Sequence, residues 1–295
     1  MAEKIITEQA PDRNAELIKL FEGHGYKDVR PAENKNFNDI FYATKDGREC
    51  FIKKYLSHTG SNEITSRRAA SEFACYENLP KDLLIDVLEI NRSEKYLVLK
   101  RVEFEEVEKN RQYVGDFTDL GLIRFPEMDA SFLPEITWEY YEGLFEKLKK
   151  LEEAGIIDNA DAVIQLFKNK KDLIISAKKI FSHHDFNRLN IKKVSGKLKV
   201  FDFELSRRDN AMVDMATLYI DIRDDKDLVK IFEERLSQSE LYNEELLTLM
   251  VIRRAAVVMN ASMDKIKKGD KSTFLKDNLE SFREAAEKLK TNSSR

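Results

Sequence analysis

Hydrophobic and polar positions change their period along this chain. Residues 11–22 place Leu17, Ile18, Leu20 and Phe21 on one helical side, and Gly23 and Gly25 end the run. From Asn38 to Thr44 and from Glu49 to Tyr55 the apolar runs are short, and Asp46-Gly47 between them predicts a hairpin. Ser66 to Leu79 returns to helical spacing through Ala69, Ala70, Phe73, Ala74 and Tyr76. Leu83–Ile90 and Lys95–Val102 then predict two strands about the polar turn at residues 91–94. Helix, hairpin, helix and hairpin make residues 1–100 a small α+β unit.

After Val102 the pattern becomes helical. Trp138 to Glu153 aligns Trp138, Tyr141, Leu144, Phe145, Leu148 and Leu151, and residues 160–166 and 171–180 continue the trend. Residues 181–204 interrupt it with short strands that turn at Ser195-Gly196. Residues 212–222, 228–236, 244–263 and 272–289 are again helical in pattern. The reading is an α+β protein of two lobes, a strand-rich one over 1–100 and a mainly helical one over 101–295 with an embedded hairpin at 181–204. The connection after Leu99 is the expected hinge, and a cleft between lobes is where a small ligand is expected.

That embedded hairpin carries the chemistry. It sets His183, Asp185, Asn190 and Asp202 in a fixed order across two apolar strands. The set suits phosphoryl transfer, which needs little covalent help from protein. It needs phosphates held, their charge neutralised by metal, and an acceptor hydroxyl oriented. Asp185 is the candidate base or hydroxyl positioner, against the plainer reading of a turn-forming aspartate. Asn190 and Asp202 are candidate magnesium ligands, since magnesium takes hard oxygen donors and completes its shell with water and phosphate. Asp202 stands between Phe201 and Phe203, where a carboxylate costs free energy unless it meets a cation or donors. His183 is either a second general base or a loop-fixing hydrogen-bonding residue. Lys53, on a strand with Phe51 and Ile52, is the candidate for ATP phosphates, with Lys54 as the solvent-facing alternative. Glu72 on the next helix is the candidate partner of that lysine.

Together, Lys53, Glu72, the run His183-His-Asp185 with Asn190 five residues on, and Phe201-Asp-Phe-Glu204 resemble the aminoglycoside phosphotransferase/choline kinase branch of the protein-kinase-like fold. Asp214-Met-Ala216 resembles the Asp-Leu-Ala that follows in that family. The resemblance implies Asp185 as base, Asn190 and Asp202 as metal ligands, Lys53 on phosphate and Glu72 holding Lys53. It also implies that Leu99 to Val102 is the hinge, with Leu99 and Arg101 at the nucleotide, and that ATP and Mg²⁺ are the cofactors. Two departures stand out. His184 replaces the family's glycine, so the loop's backbone or packing must differ, and the phosphate-covering turn at residues 34–38 has no glycine.

Composition narrows the class. With 50 basic and 54 acidic residues and no one-signed patch, nucleic acid is not an expected partner. Two cysteines, Cys50 and Cys75, sit among apolar residues and read as buried thiols. No window approaches a membrane span, and the first residues lack a signal-like apolar core, so a cytoplasmic protein is expected. The expected activity is ATP-dependent transfer to a hydroxyl of a small molecule. The alternatives are a catalytically weak kinase-like binder and an atypical protein kinase. The short run from Glu204 to the Asp214 helix leaves little room for an activation segment. Asp209, Asp221, Asp224 and Asp225 either attract a cationic acceptor or serve as helix caps and solvated charge.

Overall fold

The computed structural model describes residues 3–32, 38–55, 62–267 and 272–293. In chain order, the elements begin α1 (Glu3–Gly23), β1 (Lys27–Pro31), β2 (Asp39–Lys45), β3 (Arg48–Lys54), α2 (Asn62–Asn78), β4 (Val87–Asn91) and β5 (Tyr96–Lys100). They continue α3 (Arg111–Asp119), α4 (Phe125–Glu127), α5 (Trp138–Glu153), α6 (Ala160–Asn169), α7 (Lys171–Ser176), β6 (Ile180–Ser182), β7 (Ile191–Val194) and β8 (Lys197–Val200). The last are β9 (Arg207–Asp209), α8 (Met212–Ile222), α9 (Lys226–Leu236), α10 (Glu244–Ala261), α11 (Met263–Lys267) and α12 (Thr273–Ser293). Two compact units result, residues 1–105 with 192–204, and residues 106–191 with 205–295. No described helix is long and apolar enough to cross a membrane.

The first unit is built on a five-stranded antiparallel sheet in the order β1-β2-β3-β5-β4. Its central hairpin turns at Asp46 and Gly47, whose φ values of 52° and 73° are both positive. A two-residue turn with positive φ at both positions matches the strands' twist, and Asp-Gly tolerates it. The β7–β8 hairpin repeats the device at Ser195 and Gly196, with φ of 51° and 73°. The short strand β1, which carries no strong alternation, is held as an edge strand on β2. One face of the sheet packs on α1 through Phe21, whose ring meets Phe41 at 5.3 Å and Tyr96 at 5.5 Å edge-on. Cys50 and Ile52 of β3 join that core. Alternation along the strand then puts Lys53 on the other face. Both cysteines are buried and free.

In the second unit α10 is the buried axis, packed by α12, α8 and α5. Its apolar residues run all round, as expected for a helix enclosed on all sides. Its start is fixed by Asn243, whose side-chain oxygen accepts the Leu246 N–H at 2.8 Å. Asn243→Ala is expected to cost about 1 kcal/mol, lowering the melting temperature by about 3 °C in a thermal scan. The helical pattern over residues 171–180 stops early, since α7 ends at Ser176 and Ile180 begins β6. Strand β6 pairs with β9 antiparallel, Ile180 opposite Asp209 and Ser182 opposite Arg207. This small ladder launches the 183–190 loop and sets Asp209 beside it.

Candidate active site

In the first unit the chemistry gathers on Lys53. Its ammonium lies 2.7 Å from Glu72 Oε2, 2.7 Å from Asp202 Oδ1 and 2.6 Å from Glu204 Oε1. Burial pushes Lys53 toward neutrality, but Glu72, Asp202 and Glu204 outweigh it and hold the ammonium well above the usual lysine range. Glu72 is pushed up to about 7 by its burial, Lys53 pulling it down and Asp202 and Glu204 adding to the rise. The Tyr55 hydroxyl donates to Glu72 Oε2, and the Asn38 amide donates to Glu204 Oε1. Arg68 approaches Glu204 at 4.0 Å. Burial first, then Glu72, raise the Tyr55 phenol well above its ordinary value, so it remains a donor.

These carboxylates present oxygens within 4.8 Å of one another. Glu72 and Glu204 are buried, whereas the Asp202 side chain is 44% exposed and is the one open to solvent. Lys53 is shared by three acids, and the exposed carboxylate of Asp202 is of the donor type that suits a hard divalent cation. Asp202 adopts φ 58°, a left-handed conformation that costs a non-glycine residue about 1 kcal/mol and recurs at functional sites. Lys54, the expected solvent-facing alternative, is half-buried and donates to the Glu94 carbonyl.

At the expected hinge, Leu99 is buried in β5 between Phe51 of β3 and Val87 of β4. The Arg101 N–H donates to Glu49 O at 3.0 Å, and its guanidinium reaches Glu49 Oε1 at 3.0 Å and lies 5.3 Å from the Tyr42 ring. The Arg101 N–H is therefore already engaged. Of residues 34–38, where the phosphate-covering turn is expected, only Asn38 lies within the described residues.

The second unit holds the loop. Asp214, in the first turn of α8, accepts the His183 N–H at 2.7 Å and the His184 N–H at 2.9 Å. A carboxylate at a helix N-terminus is favourably placed to do so. The fully buried His183 ring accepts the Asp185 N–H on Nδ1 at 3.2 Å, which places this histidine inside the loop's own framework. Asp185 Oδ1 accepts from Arg254 Nη2 at 2.7 Å and from Asn187 Nδ2 at 2.9 Å. Its Oδ2 accepts from Asn190 Nδ2 at 2.8 Å. The same Asn190 nitrogen donates to the Asp185 carbonyl at 2.9 Å, so the amide oxygen is the atom with which Asn190 could meet a metal.

His184 occupies the glycine position by taking the glycine conformation, φ 65°. Its buried ring is fastened to α10. Arg253 Nη2 lies 3.2 Å from His184 Nδ1, and His184 Nε2 lies 3.3 Å from Asp209 Oδ2. Arg253 Nη1 donates to Asp209 Oδ2 at 2.7 Å, and the guanidinium packs 4.6 Å from the Tyr140 ring. Burial holds the His184 imidazole below its ordinary value, so it is neutral near pH 7.

The acidic residues that the sequence left between two roles are all engaged. Asp209 pairs with Arg253 at 2.7 Å. Asp221 accepts from Tyr113 at 2.8 Å and from Arg188 at 3.1 Å. Asp224 lies 3.7 Å from Arg223, and Asp225 caps α9 by accepting the Asp227 and Leu228 N–H groups. Glu204, Tyr55, Arg253 and Arg254 had no assigned role from sequence. Glu204 was visible as the last residue of the Phe-Asp-Phe-Glu run. The arginine pair had a signal too, two charges between the apolar runs Leu249–Ile252 and Ala255–Met259 of α10, which a buried helix keeps only if they are paired.

The fold is the protein-kinase-like one found in small-molecule kinases. Choline kinase LicA from Streptococcus pneumoniae aligns over 94% of this chain and 99% of its own, with a TM-score of 0.64 and 18% identity. Aminoglycoside phosphotransferase APH(4)-Ia, as a thermostable mutant, aligns over 91% and 97% with a TM-score of 0.63 and 13% identity. A putative fructosamine-3-kinase from Haemophilus somnus aligns over 88% and 91% with a TM-score of 0.58 and 13% identity. LicA has also been solved with AMP, and APH(4)-Ia with ADP and hygromycin B. No family model matches the chain, and no curated protein matches it in sequence.

Proposed function

We propose that this chain is a kinase that moves the γ-phosphate of ATP to a hydroxyl of a small molecule with the help of magnesium. The observation that carries the reading is the Lys53 ammonium held by Glu72, Asp202 and Glu204 within 2.7 Å. A lysine fixed in this way presents a positive charge of set position to phosphate oxygens, while Asp202 keeps an accessible carboxylate for the metal. Solved neighbours with AMP and ADP support a nucleotide ligand. Magnesium would supply charge to offset the phosphate oxygens, and the carboxylate of Asp202 and the amide oxygen of Asn190 are the hard donors that would each serve as a ligand.

Asp185 would orient the acceptor hydroxyl and receive its proton. The acceptor oxygen bonds to the γ-phosphorus, the bond from that phosphorus to the β–γ bridging oxygen breaks, and ADP leaves with the bonding pair. Strand β9 and helix α8 follow Glu204 almost at once, which favours a small acceptor over a protein docked on a long activation segment. Asp209, Asp221, Asp224 and Asp225 are already paired or capping, so none of them argues for a cationic acceptor.

Calorimetric titration with MgATP tests the reading. Binding should be measurable and should weaken with EDTA. In Asp202→Asn the magnesium-dependent part should fall at least about tenfold, the lower bound for disturbing a metal's surroundings. Absence of heat from MgATP with the wild type would sink the enzyme reading. Binding without turnover against alcohols, sugars and amino alcohols would favour the kinase-like binder instead.

A further inference from the structure

We infer that Arg254 is a positioning residue for Asp185, fixing which carboxylate oxygen is left to meet the acceptor hydroxyl. The inference rests on the kinase reading above and adds a residue that no part of the catalytic-loop motif contains.

Arg254 lies in α10, 69 residues from Asp185 in sequence, and its side chain is 15% exposed. One guanidinium nitrogen, Nη2, donates to Asp185 Oδ1 at 2.7 Å, and the other, Nη1, donates to the His184 carbonyl at 3.2 Å. Two contacts from one planar fork define a direction as well as a distance. They clamp the peptide between His184 and Asp185 together with the Asp185 side chain. His184 is the residue in the left-handed conformation, so the clamp acts where the backbone is least able to hold itself.

The carboxylate's hydrogen bonds then become unequal. Oδ1 accepts from Arg254 and Asn187, which fills both of its in-plane lone-pair directions. Oδ2 accepts from Asn190 and, among the described residues, keeps one direction open. The structure thus assigns Oδ2 as the oxygen that would receive the hydroxyl proton. Without Arg254 the carboxylate keeps the amides of Asn187 and Asn190, which are neutral donors and hold its rotation about the Cβ–Cγ bond less firmly than the charged fork does. Arg253, one residue earlier, has a different job. It is buried on Asp209 and the His184 ring and makes no hydrogen bond or ion pair to Asp185 among the described contacts. Adjacent helical residues point about 100° apart, so this neighbouring pair can reach the two sides of one loop.

The test uses the full chain, MgATP, and water as the acceptor, because slow ATP hydrolysis needs no identified substrate. Arg254→Met should lower kcat about a hundredfold, the scale of a misplaced catalytic group, with KM for MgATP unchanged. Arg254→Lys, which keeps a cation but loses the fork, should recover part of the loss, and added guanidinium at a non-denaturing concentration should partly rescue Arg254→Met. Hydrogen exchange over residues 183–191 should quicken in Arg254→Met at an unchanged melting temperature. Wild-type kcat in Arg254→Met overturns the inference and leaves the kinase reading intact. A fall in kcat that follows melting temperature, with rescue by neither lysine nor guanidinium, overturns it in favour of a structural role. If the wild type neither binds nor hydrolyses MgATP, the kinase reading fails and takes the inference with it. In that case unchanged loop exchange in Arg254→Met would further show that Arg254 does not hold the loop.

Discussion

Asp185→Ala is expected to lower phosphotransfer from MgATP by about 10²–10⁴-fold, the usual contribution of a positioned general base. The size follows from what the side chain organises. Arg254, Asn187 and Asn190 all converge on the Asp185 carboxylate, at 2.7, 2.9 and 2.8 Å. Removing it takes away the proposed proton acceptor and releases those donors together. Nucleotide affinity should change little, since the Lys53 cluster belongs to the other unit and does not use Asp185. Asp185→Asn should be nearly as inactive, because it keeps shape and loses the charge that attracts the hydroxyl proton. The check is single-turnover transfer from labelled ATP beside calorimetric binding for each variant. Turnover of an identified acceptor at the wild-type rate in Asp185→Ala would remove the base assignment.

Breaking the Asp209–Arg253 pair should be the largest single loss of stability. Asp209 is fully buried, and Arg253 is 3% exposed. Removing Asp209 strands the Arg253 charge in the interior, at about 3–5 kcal/mol, and removing Arg253 leaves Asp209 with Lys179 at 3.9 Å as its nearest remaining cationic side chain among the described contacts. For a chain of this size, Asp209→Asn or Arg253→Met should therefore lower the melting temperature by about 10 °C. Replacing both together should cost less than the sum, because neither charge is then stranded. The pair also sets an acid limit. Burial would raise the Asp209 carboxyl, but Arg253 and then His184 outweigh it and hold it well below the usual carboxylate range. A depressed folded value means the stabilisation is present above the ordinary aspartate value, about 3.9, and is lost as pH falls toward the folded one. Wild-type stability should therefore decline in strong acid, and Asp209→Asn should flatten that decline. Equal slopes in urea melts across that acid range would show that the pair does not carry the linkage.

How much of this was readable beforehand varied with the range of the interaction. The two hairpin turns were legible because Asp46-Gly47 and Ser195-Gly196 supply positive φ locally. The spacing from His183 to Asp202 was legible as a motif because one loop and one hairpin carry it. The edge strand β1 was not, since pairing with β2 and packing on α1, rather than its own pattern, hold it extended. The limits of α7 were missed for a similar reason. No Gly or Pro separates Leu173–Ile175 from Ile180-Phe181, and it is the ladder with β9 that makes the second pair a strand.

By itself, the sequence determined two lobes' worth of elements, the order of the loop and hairpin residues, and the likeness to a phosphotransferase site. Those features depend on periodicity, turn chemistry and residue spacing, which are local. Tertiary structure decided the rest. It brought Glu204 as well as Glu72 onto Lys53, engaged the ambiguous acids as pairs and caps, and joined Arg253 and Arg254 to a loop far earlier in the chain. It also accounted for the missing glycine, because His184 takes the left-handed conformation while Asp214 binds its backbone N–H and Arg253 meets its buried ring. Buried charges accept whatever partner packing delivers, and no local pattern records which one that will be.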